Sequence, residues 1–208
     1  MLGVGIFRHR GLGCQADFDI AEEAYLKARD QGSEEAVLQL AILYAERGDE
    51  SSIEEARRIA SESSEPNCAR LWLIRSNLLM LLEGSNTPTR KSLEAAMHAA
   101  DMGDADACEW CGEVLARGTT GLINNEKAHQ YLDIAIADGR TRAMIAKGIM
   151  LANGQGVHVA DKHKASEYIE RAARLGDADA KAILKRVWSE NTSEEVQSSE
   201  SSRISYFE

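Results

Sequence analysis

Residues 143–180 read AMIAKGIMLANGQGVHVADKHKASEYIERAARLGDADA, and this stretch decides the fold. Two segments with the apolar periodicity of helices flank a glycine-rich turn at residues 154–157. Small residues recur within the stretch and, at a similar spacing, along the rest of the chain. Self-similarity with a period of roughly 20 to 50 residues is typical of helical repeat arrays. The sequence therefore predicts an all-α protein, an α-solenoid of stacked antiparallel helix pairs.

Two landmarks define the predicted repeats. A small residue followed eleven positions later by Gly marks each second helix and its end, as in Ala128/Gly139 and Ala165/Gly176. An alanine opens each first helix, and successive spacings are 33, 38, 36 and 37 residues. These opening residues are Ala36, Ala69, Ala107, Ala143 and Ala180. The repeat at Ala69 is the least regular, so we expect the superhelix to bend there.

The repeats are predicted to occupy residues 1–188, as about five repeats and a terminal helix. Residues 189–208, SENTSEEVQSSESSRISYFE, are rich in Ser and Glu, a composition typical of a disordered acidic tail. Apolar residues return at Ile204, Tyr206 and Phe207. This end is either solvated or a short motif that docks on a partner or on this protein's own groove.

Composition narrows the classes of function. The net charge of −10 argues against an extended phosphate-binding face, so we expect no nucleic-acid partner. No run approaches the roughly 18 apolar residues of a membrane span, and the first residues lack the apolar region of a signal peptide. The 4 cysteines form no framework pattern. These features predict a reduced, cytoplasmic protein that does not insert into membranes.

The pattern in residues 143–176 resembles the Sel1-like repeat, a relative of the tetratricopeptide repeat. The residues that carry the resemblance are Gly148, Gly154, Gly156, Val157, Asp161, Lys164, Ala165, Tyr168, Ala172, Ala173 and Gly176. Lys147 and Leu151 replace the usual Leu and Tyr. Residues 107–139 match well, and the copies at Ala36 and Ala69 are degenerate. The resemblance implies helix pairs stacked in a right-handed superhelix, and it implies an adaptor function only loosely because fold does not fix function.

Motifs for catalysis or cofactor binding do not emerge from the spacing of residues. The glycine turns match neither a phosphate loop nor a dinucleotide fingerprint. Cys108 and Cys111 form a CxxC pair without a second pair nearby, so core packing is favoured over a redox or metal site. The histidines are scattered, and no nucleophile or paired-carboxylate arrangement can be argued. We therefore expect a protein that is not an enzyme and needs no cofactor or metal.

In Sel1-like repeats the first helices line the concave face, and this resemblance assigns one stripe of each first helix to a binding groove. Apolar residues on that stripe would form an exposed patch of the kind that marks partner sites, and the glutamates would favour basic side chains on the partner. Tight curvature of the superhelix, or the tail, could instead cover the stripe. The predicted binding residues are Leu38, Ile42, Leu71, Arg75, Leu78, Glu109, Glu113, Arg142, Ile145, Ile149 and Arg186.

Two functions remain open from the sequence. The first is an adaptor that binds a protein or peptide in the groove. The second is an immunity or inhibitor protein that neutralises a toxin or enzyme by direct binding, a known use of Sel1-like repeats. The sequence does not predict an oligomeric state.

Overall fold

The computed structural model describes residues 1–62 and 66–186, and within these ranges the chain forms 11 helices and no strand. This result confirms the all-α prediction. The helices are α1 Leu2–Arg10, α2 Phe18–Asp30, α3 Glu34–Arg47, α4 Glu50–Glu62, α5 Ala69–Leu82, α6 Arg90–Asp101, α7 Ala105–Arg117, α8 Asn125–Ala137, α9 Thr141–Ala152, α10 Lys162–Arg174 and α11 at 178–186.

Successive helices pack as pairs, and the pairs stack into a solenoid. The most extensive contacts join α5 with α6, α7 with α8 and α9 with α10, and α1 with α2 and α3 with α4 form equivalent pairs. Neighbouring first helices also touch directly, α3 against α5 and α7 against α9. A single pair leaves its apolar face open, and stacking covers that face with the next pair.

Local sequence explains where the helices begin and end. Asp104 caps α7 by accepting a hydrogen bond from the backbone N–H of Ala107 at 2.9 Å, and Asp161 caps α10 in the same way through Lys164. The second helices α2, α6, α8 and α10 stop at glycines in the left-handed region, such as Gly139 with φ of 85°. A side chain is strained at that angle, which is why glycine occupies this turn.

The two helices of a pair approach each other most closely at one residue of the first helix, and this residue shows how the repeats align. A side chain at Gly112 would meet Leu132, and one at Gly148 would lie 3.0 Å from the carbonyl oxygen of Ala165. In the irregular repeat, Ser76 occupies this position, and its hydroxyl donates to the carbonyl oxygen of Ser92 at 2.7 Å.

The opening position of α5, five residues before Ser76, is therefore Leu71. Ala69 is the first residue of α5, but Ala107 and Ala143 are the third residues of their helices, and Leu71 stands at that place in α5. The predicted alignment of this repeat on Ala69 is therefore wrong by two residues. Leu71 is 7% exposed, whereas Ala69 is only half-buried. With Leu71 in place, the spacings along the chain become 35, 36, 36 and 37 residues.

The core is divided into two clusters that meet at α5. The N-terminal cluster is built from α1 to α5 and includes Tyr25, Leu43 and Leu78. The C-terminal cluster runs from α5 to α11 and includes Trp72 and Leu132. Helix α5 therefore supplies side chains to both clusters, and the irregular repeat lies at the boundary between them.

Candidate protein-binding surface

Four of the predicted groove residues are buried in the N-terminal core. Leu38 is 3% exposed, Ile42 5%, Leu71 7% and Leu78 0%. The expectation that they form an exposed patch is wrong. Helices α1, α3 and α5 lie side by side in this half, and their apolar side chains fill the space between the helices. For Leu71 and Leu78 the two-residue register error also contributes, since both stand at core positions of the repeat.

Arg75 contacts the preceding second helix, which corrects its predicted place on the groove stripe. Its guanidinium lies 5.7 Å from the ring centre of Trp72 and donates to the carbonyl oxygen of Ala60 in α4 at 3.5 Å. Trp72 in turn stacks on His98 with ring centres 4.2 Å apart. In the corrected register Arg75 is equivalent to Lys147, at the position where the Sel1-like pattern has Leu.

The C-terminal half brings most of the other predicted residues together. Glu109 and Glu113 lie on α7 and Arg142, Ile145 and Ile149 on α9, two helices that pack directly against each other. Ile149 is 46% exposed, and Ile145 is partly buried against the core beside it. This surface therefore combines one open aliphatic side chain with charges of both signs. Arg186 is exposed on α11.

The two glutamates of this surface are in different electrostatic states. The Glu113 side chain is 10% exposed and accepts hydrogen bonds from Arg117 at 3.2 Å and Arg142 at 3.3 Å. Burial raises the pKa of the Glu109 carboxyl; Glu113 adds to this rise, while Arg142 and Arg140 oppose it. Because the net shift is upward, a further cation beside Glu109 would be favourable there.

Both arginines keep most of their surface in solvent. The side chains of Arg117 and Arg142 are each 67% exposed although both donate to Glu113. A guanidinium has five N–H donors, so each arginine can still bind a carboxylate or carbonyl on another molecule. The surface can thus receive an apolar side chain at Ile149 together with polar groups of either sign.

Sequence reasoning missed a pocket in the N-terminal half, which we name the α4–α5 pocket. It has a volume of about 370 Å³ and lies between the end of α4 and the start of α5. Pattern analysis singled out Leu38 and Leu71 as exposed, whereas they form part of the pocket wall. A signal was available in Pro66 and Asn67, which replace the glycine turn of the other repeats. The described lining residues are Arg29, Glu34, Val37, Leu38, Leu40, Arg58, Ile59, Glu62, Pro66 and Leu71.

Cys108 and Cys111 are both fully buried, in agreement with the prediction that they belong to the core. Burial raises the pKa of the Cys108 thiol to about 11 and also raises that of Cys111. Since the thiolate is the reactive form, both thiols are poor nucleophiles at neutral pH. No group of three His, Cys, Asp or Glu residues within 1–62 and 66–186 is arranged to hold a metal ion.

The predictions about the tail and about membrane insertion concern the whole chain, and the structure describes only part of it. The tail predicted at residues 189–208, with Ile204, Tyr206 and Phe207, lies outside the described residues. Among the helices that are described, none is long and apolar enough to cross a membrane.

No protein-family model and no curated protein matches the sequence. Solved structures do match. A Sel1 repeat protein from Oxalobacter formigenes is similar with a TM-score of 0.62 at 24% identity, over 88% of this chain and 53% of that one. This chain thus spans about half the length of the Oxalobacter protein.

Two other structures are similar over much of the chain. A putative Sel1 repeat protein from Klebsiella pneumoniae subsp. pneumoniae has a TM-score of 0.46 at 22% identity, over 82% of this chain and 85% of that one. The cysteine-rich protein B of Helicobacter pylori has a TM-score of 0.43 at 21% identity, over 63% and 93%. The helix pairs, the repeat register and the likeness to the Oxalobacter structure agree: this chain has the fold of the Sel1-like repeat proteins.

Proposed function

We propose that this chain is a non-enzymatic protein-interaction module that binds a protein or peptide on the surface formed by α7 and α9, with Arg186 of α11 at its edge. The observation that carries this proposal is that α7 and α9, which pack against each other, combine Ile149, 46% exposed, with Glu109, Glu113 and Arg142. Burying the rest of the Ile149 side chain against a partner would contribute roughly 1 kcal/mol, about half the value for complete burial.

The charges around Ile149 specify the partner. A basic side chain that approached Glu109 would relieve the carboxylate whose pKa is raised by burial. An acidic or carbonyl group could bind the exposed N–H groups of Arg142 without breaking its contact with Glu113. The partner that fits is a segment with an aliphatic or aromatic residue next to Lys or Arg. A nucleic acid fits poorly, since the chain has a net charge of −10.

The experiment is a selection of displayed random peptides on the full chain, repeated with Ile149→Glu. The matched control is Ile134→Glu, because Ile134 is 42% exposed but lies on the second helix α8. We expect enriched peptides with a basic residue beside an apolar one, and at least tenfold weaker binding to Ile149→Glu only. If both variants lost peptide binding equally, or neither lost it, the binding site would not lie on this surface.

A second measurement tests the charge part of the proposal. Glu109→Gln should weaken binding of the selected peptides, and added salt should weaken binding to the native chain more than to this variant. If the partner is an enzyme or toxin that loses its activity in a one-to-one complex, the function is inhibition and the surface is the same.

A further inference from the structure

The α4–α5 pocket is separate from the α7–α9 surface and has a different character. Val37, Leu38, Ile59 and Leu71 form an apolar wall, and Leu38 and Leu71 are 3% and 7% exposed. Its volume of about 370 Å³ falls at the lower end of the range for sites that hold a small ligand or a few side chains. A pocket of this size and lining fits one or two large apolar side chains.

Charges stand on the rim of this pocket and are already paired. Arg58 donates to Glu55 and to Glu62, and Arg29 donates to Asp30. Exposed pairs of this kind contribute little net attraction for a charged ligand. The rim carries Glu34 and Glu62 as well as the two arginines, so the occupant is selected by its apolar side chains and not by its charge.

The chain itself contains a segment with this chemistry. In residues 189–208 polar and acidic residues dominate, yet Ile204, Tyr206 and Phe207 fall within four positions near the end. Two adjacent aromatic residues can bury about 150–250 Å² each, which makes them strong anchors for an apolar pocket. We infer that Ile204–Phe207 docks in the α4–α5 pocket of the same molecule.

The length of the intervening chain permits this contact. Ile204 follows Arg186, the last described residue of α11, by 18 positions. An extended chain of that length reaches up to about 60 Å. Three repeats separate α11 from α5, and a step of about 8–10 Å, as between first helices that pack directly like α7 and α9, gives a span of about 24–30 Å. Attachment to the same chain gives an effective concentration near millimolar, so docking within one molecule prevails over docking between dilute molecules.

Native Cys68 provides the test, because it is exposed, precedes the first residue of α5 and lies between the pocket residues Pro66 and Leu71. The full chain would carry Ser205→Cys, with Cys14→Ser to remove the other exposed thiol. A short bifunctional thiol cross-linker should join Cys68 to position 205 within one monomer. The matched control adds Tyr206→Ser and Phe207→Ser, which we expect to slow that reaction about tenfold.

Hydrogen exchange on the native chain and on a Tyr206→Ser, Phe207→Ser variant gives a second readout. Docking predicts faster exchange in the variant for amides at the start of α5, with α9 and α10 unchanged. Equal cross-linking with and without the aromatic residues, together with unchanged exchange, would overturn the inference. Cross-linked dimers in place of monomers would also overturn it and would identify a second copy as the occupant. None of these outcomes depends on binding at Ile149.

Discussion

The two halves of the solenoid place similar aliphatic residues at equivalent repeat positions, with opposite results. Leu38 and Ile42 on α3 are buried at 3% and 5%, whereas Ile145 on α9 is only partly buried and Ile149 is 46% exposed. The first helices α3 and α5 pack more extensively than α7 and α9 do, and α1 covers the other side of α3. A repeat position therefore determines which way a side chain points, but the neighbouring helix determines whether solvent reaches it.

The residue at the crossing within each pair also varies along the solenoid. Glycine stands at this point in α1, α7 and α9, at Gly5, Gly112 and Gly148, whereas Ala41 and Ser76 occupy it in α3 and α5. An added Cβ at Gly5 would meet the ring of Tyr25, and one at Gly148 would meet Ile169 and the carbonyl oxygen of Ala165. Glycine crossings therefore occur in both halves, and the difference between the halves lies in how neighbouring first helices pack.

The largest effect on stability is expected from shortening a buried side chain in the N-terminal core. Leu78→Ala removes a side chain that is 0% exposed and should lower the free energy of unfolding by about 2–5 kcal/mol. The matched change on the α7–α9 surface, Ile149→Ala, should alter this free energy by about 0.5 kcal/mol or less. Urea unfolding followed by circular dichroism measures both. Similar losses in the two variants would contradict the difference in burial between the halves.

A smaller effect is expected at the close crossing of α9 and α10. Gly148→Ala places a Cβ 2.9 Å from Ile169 and 3.0 Å from the carbonyl oxygen of Ala165, and a backbone oxygen cannot turn away. Overpacking costs about 1–3 kcal/mol, more than the gain of about 1 kcal/mol from replacing a helical glycine. Thermal unfolding should therefore occur at lower temperature.

The control for this crossing is Gly3→Ala in α1, where an added Cβ meets no atom within 4 Å. This variant should be as stable as the native chain or more so, by up to about 1 kcal/mol. If Gly148→Ala also stabilised the protein, the crossing of α9 and α10 would be looser than described.

The smallest effect concerns how the stability contributed by Glu109 depends on pH. Because burial raises the pKa of Glu109 above its ordinary value of 4.5, the folded protein binds this proton more tightly than the unfolded chain does. The ionised carboxylate then reduces stability above the raised pKa, and this penalty disappears as the pH falls below about 4.5. Glu109→Gln should raise the unfolding temperature slightly at pH 7 and leave it unchanged near pH 4.

Asp177 gives the matched comparison with the opposite sign. The Thr141 hydroxyl and the backbone N–H of Ala180 hold the pKa of Asp177 below its ordinary value of 3.8. The ionised Asp177 contributes to stability above about pH 3.8, and this contribution is lost as the pH falls through the lowered pKa. Asp177→Asn should therefore destabilise the protein at pH 7 and matter less in acid. Shifts of the same sign in both variants at pH 7 would refute this assignment.

The helix pairs and their order were predictable from the sequence because small residues and glycine stops recur at almost fixed spacing. The register of α5 was not, since the alanine that served as the landmark is replaced there by Leu71 and the glycine of the crossing by Ser76. With the landmark residues changed, a nearby alanine at position 69 gave a plausible but incorrect alignment.

Which residues of the predicted stripe are buried could not be predicted from the sequence either. Ile149 on α9 is exposed and Leu38 on α3 is buried, and nothing in the residues of α3 indicates that neighbouring helices cover Leu38. That depends on the distance between helices that are about 35 residues apart in the chain, which local periodicity does not encode. The α4–α5 pocket, which also depends on that packing, was missed for the same reason.

The position of α5 between the two core clusters has a mechanical consequence. Trp72 belongs to one cluster and Leu78 to the other, so two densely packed blocks are joined through a single helix of 14 residues. Stiffness in a solenoid comes from the interfaces between neighbouring repeats. Bending and torsion of the array should therefore concentrate at α5. A force that pulls on the two ends would separate the two blocks before it unfolds either of them.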